Sequence, residues 1–133
     1  MEPARASAVA LEPNVITRDT LQDFFDDTRG LYARGKARFN VDETCRWSFF
    51  FVDPNRSKLD PVADHLGSIG YEVRGFLEPD NDSEHPVWFL RADRIEQHTV
   101  ESLHQRNGEL YAVAKRFKVE DYDGMDVGAI DGL

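Results

Sequence analysis

The chain offers four histidines, a single cysteine and 25 acidic side chains as raw material for chemistry. The histidines are His65, His85, His98 and His104. His98 and His104 lie six apart, which puts them on different faces of a helix. None has a cysteine or second histidine at metal-ligand spacing, so all four are expected to be solvated surface residues, with no bound metal. Asp121, Asp123 and Asp126 around Gly124 faintly resemble a calcium loop. That loop would need an acid where Val119 stands and a bidentate glutamate where Ile130 stands. Cys45 is followed by Arg46, whose charge could lower the thiol pKa, yet no histidine partner stands at a recognisable spacing. No phosphate loop, Gly-x-Ser-x-Gly elbow or dinucleotide fingerprint occurs, and no cofactor is expected. The best enzymatic candidate is Asp53-Pro54-Asn55-Arg56-Ser57-Lys58. A loop entering a helix N-terminus can hold an anion, and a small phosphoester hydrolase could use Arg56 there. Helix capping by Asn55, Ser57 and Asp60 accounts for the same residue types and is preferred.

What remains is acid combined with aromatics. The net charge is −9, from 25 acids against 16 bases. This opposes direct nucleic-acid binding, which depends on Lys and Arg neutralising phosphate, and favours a protein partner with a basic surface. Asp80, Asp82 and Glu84 in one loop, with Asp121 and Asp126 around the last strand, form the candidate contact set. Carboxylates on neighbouring loops can hold arginines bidentately. Arg29, Arg34, Lys36 and Arg38 make a basic patch nearer the N-terminus. One cysteine permits no intrachain disulfide. No apolar run approaches the ~20 residues of a membrane helix, and Met1-Glu2-Pro3-Ala4-Arg5 does not read as a signal peptide. A cytoplasmic protein without membrane contact is expected.

The elements that must position these groups follow from periodicity. Residues 1–14 lack any pattern and are expected to be mobile, followed by a helix and linker over 15–44 and the main domain over 45–133. Leu21, Phe24, Phe25, Thr28, Leu31 and Tyr32 share one helical face. Thr17 or Thr20 caps that helix, Thr20 with Asp23 fitting a capping box, and Gly35 stops it. The adjacent phenylalanines need covering, by the domain's own sheet or by a second subunit, so monomer and dimer both stay open. Arg46 to Val52 is a strand with Trp47, Phe49 and Phe51 on one face and Ser48, Phe50 and Val52 on the other. A second helix carries Leu59, Val62, Ala63, Leu66 and Ile69, with Pro61 placed in its first turn and Gly70 at its end. Tyr71 to Leu77 is the second strand, where Gly75 marks a bulge or close packing. Pro86 to Ala92 is the third, pairing with the second as a hairpin. Thr99 caps a third helix with the stripe Val100, Leu103, Asn107, Leu110, Tyr111, Ala114 and Phe117. The last strand starts near Val119 and includes Tyr122. Asp123-Gly124 is the expected turn, with continuation through Val127 to Ile130 left open. The order is a helix, then β-α-β-β-α-β: an α+β, ferredoxin-like sandwich with helices on one face of an antiparallel sheet. The other face stays open unless the first helix or a partner covers it.

Between Trp47 and Gly124 the chain resembles the bacterial family of the regulator of ribonuclease activity B. The resemblance is carried by Trp47-Ser48-Phe49-Phe50-Phe51, by Gly70-Tyr71-x-Val73, by Val87-Trp88-Phe89, and by Leu110-x-x-x-Ala114-x-x-Phe117 followed by Tyr122-Asp123-Gly124. It implies an α+β sandwich without enzymatic activity that binds ribonuclease E and restrains its action on RNA. It marks Gly70, Tyr71, Trp88, Tyr122, Asp123 and Gly124 as family-motif positions, with Trp88, Tyr122 and Asp123 expected to shape the fold. An immunity-type or antitoxin-type protein that neutralises a basic toxin is the alternative.

Overall fold

The computed structural model describes residues 15–131; the segment 1–14, expected to be mobile, lies outside them. Helix α1 (Arg18–Ala33) precedes β1 (Cys45–Asp53), α2 (Arg56–Ser68), β2 (Glu72–Leu77), β3 (Trp88–Glu96), α3 (Val100–Phe117) and β4 (Asp121–Gly128). The strands lie in the order β2-β3-β1-β4 and every pair is antiparallel. This is the ferredoxin-like arrangement.

Alternation along β1 decides what each face does. Trp47, Phe49 and Phe51 are wholly buried and join Leu90 and Ala92 of β3 and Tyr122 of β4 in one core. Leu59, Val62 and Leu66 of α2 cap this core, as do Leu103, Leu110 and Ala114 of α3. Helix α1 lies on the same side: Phe24 and Phe25 pack on the Trp47 ring at 6.1 and 6.0 Å. The domain's own sheet therefore covers the paired phenylalanines. All three helices occupy one face, and among the described residues none lies across the other.

The helix ends are set by local chemistry. Thr17, and not Thr20, caps α1, accepting from the Thr20 N–H at 3.1 Å. Thr20 is thus the third helical residue, and no Thr20–Asp23 box forms. Leu31 and Tyr32 fall in the last turn and are exposed, and Ile69 is the exposed C-cap of α2. None of the three contributes to a core-facing stripe as expected. Pro61 stands in the second turn of α2, not the first. Its ring faces solvent, where water can satisfy the Ser57 carbonyl that loses its helical partner. All three helices close in the same way, with the next-but-one N–H folding back to a carbonyl five residues earlier. The pairs are Lys36 to Leu31, Tyr71 to Leu66 and Val119 to Ala114, which is the Schellman pattern. Gly35 and Gly70 supply the positive φ at two of these ends; Lys118, at φ 59°, supplies the third.

Strand β3 runs to Glu96, four residues past the expected end, because Arg91, Asp93, Arg94 and Glu96 hide its alternation. Asp123-Gly124 is not a turn. The register against β1 slips between Phe50 and Phe51, leaving Asp123 as the extra residue of a bulge, and β4 continues to Gly128. A matching slip beside Gly75 leaves Arg74 as the extra residue in β2.

Candidate partner-binding surface

On the uncovered face, β1 contributes Arg46, Ser48, Phe50 and Val52, opposite Ile95, Asp93, Arg91 and Phe89 of β3. Asp93 is the centre of this face. Its carboxylate is fully buried although no helix covers it, because arginines lie over it. Arg91 donates to both oxygens at 2.9 Å and Arg46 donates at 2.9 Å. Arg74 reaches to 3.8 Å, and Glu72 ties Arg46 and Arg74 together at 3.1 and 3.2 Å. Burial alone would raise the Asp93 pKa; hydrogen bonds from Arg91, Arg46 and Ser48 outweigh it and hold the carboxyl below its ordinary range. The long aliphatic stems of these arginines shield the strand beneath. Beside the network a shallow recess of about 200 Å³ is lined by Arg46, Ser48, Phe50, Arg91, Asp126 and Gly128.

The acids singled out from the sequence do not form one cluster. Asp121 pairs with Val52 and Asp126 with Ser48, so they stand about 13 Å apart along the sheet. Asp80, Asp82 and Glu84 are exposed in the β2–β3 loop, at the Asp121 end of the sheet. His85 of that loop meets Glu120 at 2.7 Å, which links the loop to the start of β4. Asp121 and the loop acids therefore share an end, while Asp126 borders the recess.

The family-motif residues lie mostly on the covered side. Tyr122 is buried, its ring against Phe51 and Tyr111 and its hydroxyl donating to Asn107 Oδ1 at 2.6 Å. Burial pushes its pKa well up. Tyr71 packs edge-on against Phe49, with Arg94 over its ring at 4.9 Å, and burial likewise raises its pKa. Trp88 is half-buried near Arg56. Gly70 sits under Arg94, which donates to the Ile69 carbonyl.

The candidate nucleophile and anion loop turn out to have structural duties. Cys45 is buried and its thiol pKa is raised, first by burial and then by Glu43 and Asp42. Arg46 does not lower it, because alternation sends the guanidinium to the opposite face and Asp93. Asn55 caps α2 by accepting from the Ser57 N–H, and Arg56 stacks over Phe76 at 4.3 Å. Asp53 is buried and accepts from the N–H groups of Asn55 and Glu120 at 2.8 and 2.9 Å. Among the described residues no group of three or more His, Cys, Asp or Glu is arranged to hold a metal, and no helix is long and apolar enough to cross a membrane.

One cluster escaped sequence reasoning. His98 is buried, contrary to the expectation of solvated histidines, and bridges Glu96 at 2.6 Å and Ser102 at 2.9 Å. A serine–histidine–carboxylate string suggests nucleophilic catalysis, but here Ser102 is the third residue of the α3 capping box. It accepts from the Thr99 N–H at 2.9 Å while its own N–H donates to Thr99. Burial works against the Glu96 charge; hydrogen bonds from His98 and Arg106 prevail and bring its pKa to about 2. Arg106 is correspondingly raised by Glu96 against its own burial. The only sequence signal was the acid-x-His-Thr-x-x-Ser spacing, which a capping box also produces.

Comparison with individual characterised proteins returned no match. The model of the family "Regulator of ribonuclease activity B" matches residues 26–127, from the middle of α1 to the penultimate residue of β4. That stretch includes all of the sheet but Gly128, the Asp93 network and the Glu96–His98 clamp, and it covers most of the chain. The protein belongs to the regulator of ribonuclease activity B family.

Proposed function

We propose that this protein is a non-catalytic, cytoplasmic regulator that binds ribonuclease E and restrains its cleavage of RNA. The family match over residues 26–127 carries this reading. Two features support it. The residues best suited to catalysis are committed elsewhere: Cys45 to the core, Ser102 to a helix cap, and Arg56 to stacking on Phe76. The net charge of −9 suits a cationic protein surface better than RNA. Asp80, Asp82, Glu84, Asp121 and Asp126 are the proposed acidic contacts.

The test is RNA cleavage by purified ribonuclease E with increasing amounts of the purified chain. Inhibition that saturates and weakens with added salt is expected. Reversing Asp80, Asp82 and Asp126 together to lysine should weaken inhibition about tenfold or more and blunt its salt dependence. Cleavage that proceeds unchanged at saturating protein would overturn the reading.

A further inference from the structure

We propose that the uncovered face of the sheet is the docking surface and that it takes a basic, amphipathic segment of the partner protein. The apolar side chains of that segment would seat on Phe50, Val52, Phe89 and Leu77, and its cations would meet the acidic border. The nuclease identity of the partner rests on the regulator reading above; the surface and its chemistry do not.

The register builds the apolar stripe. Leu77 pairs with Phe89 and Phe89 with Val52, while Phe50 lies two residues further along β1. Neighbouring side chains in such a row sit about 5 Å apart, so the stripe is continuous across three strands. It is roughly 10 Å wide, close to the diameter of one helix with its side chains. Leu77 is 53% exposed, and Phe50 and Phe89 are half-buried. Val52 is buried among them yet lies outside the core cluster. This side of the sheet thus carries its own small apolar surface.

The edges of the sheet are less available than its face. Both edge strands carry a bulge, with Arg74 as the extra residue on β2 and Asp123 on β4. A bulge interrupts the ladder that an added strand would have to continue. Side-chain docking on the face avoids that obstacle.

Charge selects the occupant. Arg46, Arg74 and Arg91 are drawn into the network around Asp93 and Glu72. Outside that network, Asp121 and Asp126 border the stripe along β4, and Asp80, Asp82 and Glu84 follow Leu77 in the loop. The border along β4 and the β2–β3 loop is therefore anionic, while on the remaining side three arginines are held by Asp93 and Glu72. The complementary partner is apolar at its centre and cationic on the flank that meets β4 and the loop. The arginine network also fixes the floor in advance, which lowers the ordering cost of docking.

The experiment uses the full chain, labelled with nitrogen-15, and a synthetic helical peptide of leucine, alanine and arginine with the arginines along its flanks. Amide shifts are expected at Phe50, Val52, Leu77 and Phe89 but not at the exposed Leu31 and Tyr32 of α1. Leu77→Ser with Phe89→Ser should weaken peptide binding about tenfold or more with the fold retained. Asp126→Lys, at an exposed site outside the packing, should weaken it in the same direction. A footprint on the helices, undiminished binding by these variants, or equal binding of a peptide with glutamate in place of arginine would overturn the proposal. So would a dimer of the free chain that the serine variants dissociate, since the occupant would then be a second copy. The same variants tested on ribonuclease E separate the two readings. Peptide docking as expected without any binding of ribonuclease E by the unaltered chain keeps the surface and removes the regulator. Ribonuclease E binding that the serine variants leave intact keeps the regulator and removes the surface.

Discussion

Glu96 shows how one side chain can hold an acid-sensitive share of the stability. Its carboxylate is hydrogen-bonded by His98 and Arg106 in a half-buried site, and its pKa falls from 4.5 to about 2. A depressed folded-state pKa stabilises fully above the unfolded value, here 4.5, and is lost as pH drops through about 2. The shift corresponds to on the order of 3 kcal/mol at neutral pH. Glu96→Gln should lower the stability by a comparable amount near neutrality and flatten the acid limb of the stability curve, as read from urea melts across that range. Lys118 is the opposite case, a residue that costs stability. It ends α3 at φ 59°, a left-handed conformation costing a side-chain-bearing residue about 1–2 kcal/mol. The other two helices place glycine at this position. Lys118→Gly should raise the denaturation midpoint by about 1 kcal/mol equivalent, and Gly35→Lys should do the reverse.

At the scale of elements, β3 is where the sequence was hardest to read. The apolar alternation of β1 announces itself, and the Gly70 and Gly35 stops are visible because only the left-handed backbone calls for glycine there. Four of the nine residues of β3, in contrast, are Arg91, Asp93, Arg94 and Glu96, which look like a solvated loop. They form a strand because their partners arrive from other strands and from α3: Arg46 reaches Asp93 and Arg106 reaches Glu96. Such pairing depends on register, which local periodicity does not reveal. The bulge at Asp123 is hidden for the same reason, since a Tyr-Asp-Gly run looks like a turn, whereas the partners of His98 are local and hidden by a spacing that a capping box also produces. The Asp93 network is therefore a test of the strand itself. Asp93→Ala leaves Arg46 and Arg91 facing each other without their shared anion, and should cost about 3 kcal/mol or more in a urea melt. Replacing Asp126, which is exposed, with alanine should change stability by well under 1 kcal/mol.

For the whole molecule, the placement of α1 matters most. It joins α2 and α3 on the covered face instead of closing the second one, so the described residues form a sandwich of two layers. Arg18 of α1 reaches Glu101 at the start of α3 through a bidentate pair, and Phe24 and Phe25 meet Trp47. With the helices gathered on one side, a binding function has a ready surface on the other. The composition already pointed to an acidic partner-binding domain. It could not show that the five candidate acids divide between a sheet end and the border of a recess, because strand order alone brings those positions together or apart.

The carboxylate of Asp53 has a kinetic consequence. It accepts one N–H two residues ahead and another at Glu120, 67 positions away, and so fastens the end of the first strand to the entry of the last. The second of these bonds closes a loop of half the chain, whose ordering entropy must be met first, so it is expected to form late, after the intervening helices and hairpin have docked. Contacts made after the folding barrier slow unfolding without speeding folding. In stopped-flow chevrons, Asp53→Ala should therefore lift the unfolding limb while leaving refolding nearly unchanged. A matching loss on the refolding limb would place this closure before the barrier. On the expected outcome, Asp53 sets how long the folded chain persists more than how fast it forms.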